Sequence, residues 1–176
     1  METFTIEQPI WKFSIDGWKS QKDKLLSEIK QGGIFSIKES GNTIYNTDYH
    51  LANSKIPSFY KDTAVSTISS SLEMLSKKYN LRIEVTKLWY QQYKKGDFHA
   101  AHNHGGTNFS SVLYVELPEN TQTSFYFDYE QTQEYKLDVK EGDYIIFPSS
   151  IVHESKPLEL DETKTIISYN LSIEFK

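Results

Sequence analysis

The stretch Thr163-Lys-Thr-Ile-Ile-Ser-Tyr-Asn-Leu-Ser-Ile-Glu-Phe175 decides the fold. Side chains alternate across a strand, so Thr165, Ile167, Tyr169, Leu171 and Ile173 share one face. All but Thr165 are large and mostly apolar. Lys164, Ile166, Ser168, Asn170 and Ser172 share the other face. A polar strand face ordinarily meets solvent, but between the two sheets of a jelly roll it lines a polar cavity. Further runs read as strands: Ile83–Tyr93, Phe98–His104, Phe109–Leu117, Ser124–Tyr129, Tyr135–Val139, Tyr144–Phe147 and Val152–Ser155. Turn residues part them at Lys95-Gly96-Asp97, Gly105-Gly106, Pro118–Asn120 and Glu141-Gly142-Asp143. Short strands spaced this way predict a sandwich or jelly roll.

Upstream of residue 82 the pattern is helical and mixed. Trp18, Lys22, Leu25, Leu26 and Ile29 make a one-sided stripe that ends at Gly32-Gly33. Val65, Ile68, Leu72, Leu75 and Tyr79 step by three and four, with Asp62 or Thr63 as the predicted cap. Residues 33–60 read as short strands and loops. The expected architecture is mainly β with N-terminal helices packed on one sheet. The chain has 176 residues, which suits a single domain 1–176. Residues 1–81 form its support and 82–176 its jelly-roll core.

Composition narrows the function. Cysteine is absent, which excludes disulfides, thiolate metal sites and a thiol nucleophile. The net charge of −5 argues against a general nucleic-acid binder. Apolar runs fall far short of the ~20 residues of a membrane helix, so no membrane partner is expected. The start Met1–Phe13 lacks a basic segment followed by an apolar one. A secretory leader is therefore not expected, and the cytoplasm is the expected compartment.

Of the five histidines, His99, His102 and His104 crowd into Gly96-Asp-Phe-His-Ala-Ala-His-Asn-His104, while His50 and His153 lie elsewhere. Residues i and i+2 of a strand share a face, so His102 and His104 project together as two ligands of one metal must. His99 has the opposite parity and on a regular strand points away. A third ligand has to come from a distant segment. His153 is the candidate, at the end of Gly142-Asp-Tyr-Ile-Ile-Phe-Pro-Ser-Ser-Ile-Val-His153. Nitrogen and oxygen donors with open positions suit non-haem Fe(II), with Mn, Co, Ni and Zn as competitors. Against this stands the plain alternative of an exposed His-rich turn and a structural His153.

These segments resemble the metal-site motifs of cupin-like double-stranded β-helix proteins. They are most similar to the 2-oxoglutarate/Fe(II)-dependent oxygenase family of bacterial and phage type with an HxH…H site. The carrying residues are Gly96, His102, His104, Phe109-Ser-Ser-Val-Leu-Tyr114, Gly142-Asp143, Phe147-Pro148-Ser149, His153 and Ser168-Tyr169-Asn170. The resemblance spans roughly residues 83–175. It implies His102, His104 and His153 as ligands, Fe(II) as metal, 2-oxoglutarate as co-substrate, O2 as oxidant, and hydroxylation as the outcome. Fe(II) among three neutral imidazoles carries two positive charges, which dianionic 2-oxoglutarate balances.

The chain departs from the family pattern in three ways. Position 104 is His where most of the superfamily has a carboxylate. The last-strand Arg that clamps the distal carboxylate is matched by Lys164, which is a point charge and not a fork. The hydroxyl expected two residues later is Ile166. Lys is used 18 times and Arg once, so Arg82 at the start of the first barrel strand is the other cation to consider. Tyr90, Tyr93, Tyr114, Ser168 and Asn170 are candidates to orient the co-substrate or line its pocket. Three readings stay open: this oxygenase; a cupin-like three-His dioxygenase without 2-oxoglutarate; and a non-catalytic jelly-roll binding or virion-associated module. A small-molecule or peptidyl substrate and a homodimer are all compatible with the sequence, and a phage origin would place the enzyme in host cytoplasm.

Overall fold

The structure, a computed structural model, describes residues 8–39, 41–51, 58–128 and 130–176. The N-terminal support consists of β1 (Trp11–Ser14), α1 (Trp18–Gln31), β2 (Ile37–Glu39), β3 (Asn42–Ile44), β4 (Asn46–Thr47), a 3-10 turn at Tyr49–Leu51 and α2 (Lys61–Tyr79). The core consists of β5 (Leu81–Tyr93), β6 (Phe98–His102), β7 (Phe109–Glu116), β8 (Ser124–Tyr126), β9 (Glu134–Lys136), β10 (Asp143–Pro148), β11 (Val152–Ser155) and β12 (Lys164–Phe175). They form two antiparallel sheets, ordered β1-β10-β7-β12-β5-β4 and β2-β3-β6-β11-β8-β9. This is the jelly roll expected from the strand pattern, in the double-stranded β-helix form that the resemblance implies. The expected strand Ser124–Tyr129 stops at Tyr126, and Tyr129 lies outside the described residues.

β12 sits centrally in the first sheet, between β5 and β7, and its alternation organises the molecule. Ile167, Tyr169, Leu171 and Ile173 face the helices, where they pack with Leu25, Ile29, Ala64, Ile68 and Leu75. The Tyr169 hydroxyl donates to the Ala64 carbonyl at 3.1 Å, which ties the sheet to α2. The opposite face of the sheet looks into the sandwich. There Tyr93, Val112, Tyr114, Ile145, Phe147 and Ile166 pack with Ile44 and Phe125.

Both helices form where the apolar stripes lie, with two differences. The buried face of α2 is Ala64, Thr67, Ile68, Ser71 and Leu75, while Val65 and Tyr79 are largely exposed. Small residues let this helix lie close on the sheet. Neither Asp62 nor Thr63 caps it, because the helix already begins at Lys61, after Tyr60, with no side-chain cap. Tyr60 instead buries its ring and donates to the buried Asp48 carboxylate at 2.8 Å. Gly142 turns the chain into β10 with φ +83°, where a Cβ atom would lie 2.5 Å from the Trp18 ring. Only glycine meets both demands.

Candidate active site

His102 ends β6 and His153 lies on β11, directly opposite it in the antiparallel ladder. His104 follows two residues past the strand end, which shortens the expected strand Phe98–His104. Its backbone N–H donates to the Ser149 carbonyl at 2.9 Å. The Ser149 hydroxyl in turn meets Ser110 at 2.8 Å. The Pro148-Ser149 turn thus holds the end of the HxH segment beside the segment that delivers His153. One potential donor atom from each of the three rings lies within 4.8 Å of the others.

The ring environments suit metal binding. His102 Nδ1 lies 2.7 Å from the Ala100 carbonyl, and His153 Nδ1 lies 3.0 Å from the Ile151 carbonyl. A carbonyl only accepts, so each Nδ1 carries the proton and each Nε2 keeps its lone pair. Burial pushes His153 down to about 3 and His104 to about 4, and the neighbouring rings push the same way. Burial also lowers His102, against the pull of the Ala100 carbonyl. All three imidazoles are therefore neutral at pH 7, as ligands must be.

His99 differs from the expectation. Two β11 residues, His153 and Ser155, face β6 residues that are three apart, His102 and His99. This bulge in β6 puts His99 on the same side as His102. The two rings stack, with centroids 4.1 Å apart. His99 nevertheless does not join the cluster of three donor atoms. The parity argument fails because it assumes a regular strand.

The last-strand cation lies within the sandwich. Lys164 is 1% exposed. Its Nζ donates to Ser155 Oγ at 2.8 Å and lies 5.3 Å from the centre of the Tyr93 ring. No carboxylate among the described residues pairs with it. Burial, with a smaller push from Lys136, lowers Lys164 to about 7. The Tyr93 hydroxyl beside Ser155 is buried without a bond of good geometry. A buried cation without an anion is costly and marks a place for one. Arg82 lies exposed at the far end of β5, paired across the sheet with Glu174, and takes no part.

The other sequence candidates divide by face. Ser168 and Ile166 line the inner cavity with Tyr93, Thr123 and Ser155. Tyr114 is buried in the inner core, with its hydroxyl on Thr123 at 3.0 Å. Asn170 shares the Ser168 face but lies beyond the cavity, with its side-chain oxygen unbonded. Tyr90 faces the helices, not the cavity: its hydroxyl donates to Asn46 and its ring packs on Tyr60. A bulge at Thr86 shifts the parity of β5, so Trp89, Gln91 and Tyr93 face inward instead. Ser155, Gln91 and Trp89 are cavity residues that the sequence reading missed. Ser155 carried a signal, since it lies two residues past His153 on the same strand face.

Two cavities share the histidine wall. The inner one is about 30 Å³ and reaches Ser155 and Ser168. The outer one is about 210 Å³ and is lined by Ile37, Ile44, Tyr49, Trp89 and Gln91 as well as His99, His102 and His104. The inner volume is the room of about two waters. The residues present therefore fit Fe(II) and an anion by chemistry.

Fold and site together define a double-stranded β-helix protein with three converging histidines at the mouth of its sandwich. Residues 87–170 match the family described as "Putative 2OG-Fe(II) oxygenase". The protein is accordingly an oxygenase that works with Fe(II), 2-oxoglutarate and O2. The structure is similar to a viral collagen prolyl hydroxylase of Paramecium Bursaria Chlorella virus-1 solved with 2OG, at TM-score 0.63 and 15% identity over 92% of this chain and 94% of that one. It is also similar to a Pseudomonas putida prolyl-4-hydroxylase, at 0.65 and 11% over 94% and 93%. A third is the epimerase SnoN of nogalamycin biosynthesis, at 0.67 and 12% over 93% and 77%. No curated protein matches the sequence. No helix among the described residues is long and apolar enough to cross a membrane.

Proposed function

We propose that this oxygenase holds Fe(II) through His102, His104 and His153 and hydroxylates a small-molecule or peptidyl substrate in the outer cavity. The observation that carries the ligand set is the convergence of three donors within 4.8 Å, two of them oriented by carbonyls. Held by these three rings, Fe(II) would supply O2 activation, with one oxygen atom going into a substrate C–H bond and the other into 2-oxoglutarate, which would leave as succinate and CO2. The chain's own residues supply position. The Ala100 and Ile151 carbonyls fix the rings of His102 and His153. Lys164, protonated, anchors the distal carboxylate, with Ser155 and Tyr93 beside it. Val112, Phe125, Phe147 and Ile166 keep water from the buried end.

Burial that lowers Lys164 also prepares it for its anion, since an anion restores the charged form. An Arg would fork onto the carboxylate, whereas Lys makes a single strong contact and keeps Ser155 as a further donor. The reading extends to a cytoplasmic enzyme. The test is metal analysis of chelator-treated and Fe(II)-reloaded protein. One iron per chain is expected, lost in His153→Ala, with succinate formed from 2-oxoglutarate by the reloaded wild type. Full iron occupancy in that variant would overturn the ligand set.

A further inference from the structure

We propose that His99 is a hydrogen-bond donor to 2-oxoglutarate, and neither a fourth metal ligand nor mere packing. The proposal rests on the reading of the site given above. Its first support is place. His99 stacks on His102 at 4.1 Å and lies opposite Ser155 across the β6–β11 ladder. Ser155 holds Lys164 at 2.8 Å. His99 thus stands between the cluster of three histidines and the buried cation. A co-substrate that chelates at one end and reaches Lys164 at the other passes its ring.

The second support is the position of its proton. Ser168 Oγ lies 3.1 Å from Gln91 Oε1, and Gln91 Nε2 lies 3.1 Å from His99 Nδ1. Ser168 is buried, and Gln91 is the one acceptor its hydroxyl meets among the described residues. Turning the amide around would leave that hydroxyl proton without an acceptor, which burial penalises. Gln91 therefore presents N–H to His99, Nδ1 accepts, and the neutral ring carries its proton on Nε2. This is the opposite tautomer from His102 and His153, whose Nδ1 atoms donate to carbonyls. The Nε2 of His99 has no partner among the described residues, and the ring lines both cavities. It offers a donor to a ligand oxygen where the other rings offer lone pairs to a metal.

The sequence Gln91, His99 and Ser168 thus acts as a relay of orientation from β12 through β5 to β6. Its test is binding of 2-oxoglutarate to the full chain, titrated anaerobically into Fe(II)-loaded protein by its visible absorption and into Mn(II)-loaded protein by calorimetry. His99→Phe keeps a flat ring for stacking and removes the donor. His99→Gln places an amide N–H near the original Nε2. His99→Phe is expected to keep full metal occupancy and weaken 2-oxoglutarate about tenfold, as for loss of one donor to a charged group. His99→Gln is expected to recover most of that loss.

Unchanged 2-oxoglutarate affinity in His99→Phe, or loss of metal from it, overturns the proposal. If His99→Phe does not fold, His99→Leu carries the test. It removes the same donor without adding charge, so affinity must fall, and an unchanged value overturns the proposal. Wild-type protein that holds metal but takes up no 2-oxoglutarate would instead defeat the oxygenase reading on which this one stands.

Discussion

The two faces of the first sheet differ in what they leave unfinished. On the outer face, Ile167, Tyr169, Leu171 and Ile173 fill a continuous core under the helices. The tyrosine hydroxyls there are satisfied, since Tyr169 bonds Ala64, Tyr144 bonds Ser111 and Tyr60 bonds Asp48, while Trp18 Nε1 and Glu28 Oε2 on the helix side are buried without partners. On the inner face, Lys164 has no carboxylate, and Trp89 Nε1, the Tyr93 hydroxyl and the Asn170 oxygen are buried without partners. Folding alone gains nothing from such groups, because an unmade buried hydrogen bond costs about 1–3 kcal/mol. Stability resides on one face and ligand binding on the other, although adjacent residues of β12 supply both.

That division can be broken by experiment. The largest effect is expected at His153→Ala, which should abolish stoichiometric Fe(II) binding while circular dichroism shows an intact fold. Next, Ile167→Ala on the outer face should cost about 2–5 kcal/mol of stability, read from the denaturant midpoint, with metal occupancy unchanged in the folded protein. Lys164→Met should do the reverse. Its stability should match or exceed that of wild type, since a buried charge is removed, while 2-oxoglutarate affinity falls by about a hundredfold and iron affinity far less. Equal loss of both ligands would make Lys164 a structural residue and blur the two faces.

The smallest effect is one of pH. Lys164 titrates near 7 in the fold against 10.5 as its ordinary value. Between these values the unfolded chain holds a proton that the fold does not, so the ligand-free fold gains stability as pH rises. Affinity for 2-oxoglutarate moves the other way, falling by up to about tenfold per pH unit above 7 as the ammonium is lost. Titration calorimetry at pH 6.5 and 8.5 reads the difference, and Lys164→Met should flatten it.

Much of the site was legible in residue spacing. The HxH spacing paired His102 with His104, although His104 lies past the end of β6, and the alternation of Thr163–Phe175 separated a core face from a cavity face. Misreadings arose where strands are irregular. A bulge in β6 brings His99 inward, and one at Thr86 sets the phase of β5, where of the candidates Tyr90 and Tyr93 only Tyr93 faces inward. Parity counts from one residue to the next and loses its phase at each bulge. The sheet partner decides where a bulge falls, so a single strand does not announce it.

The sequence by itself determined the strand-rich fold, the helix stripes, the absence of thiolate ligands and the HxH pair, because each depends on neighbours along the chain. Only the tertiary structure decided that His153 meets His102, that Ser155 takes Lys164, and that Gln91 sets the tautomer of His99. Ser168, which fixes the Gln91 amide, lies 77 residues from it along the chain. The register between strands brings them together, and register is a property of the folded sheet.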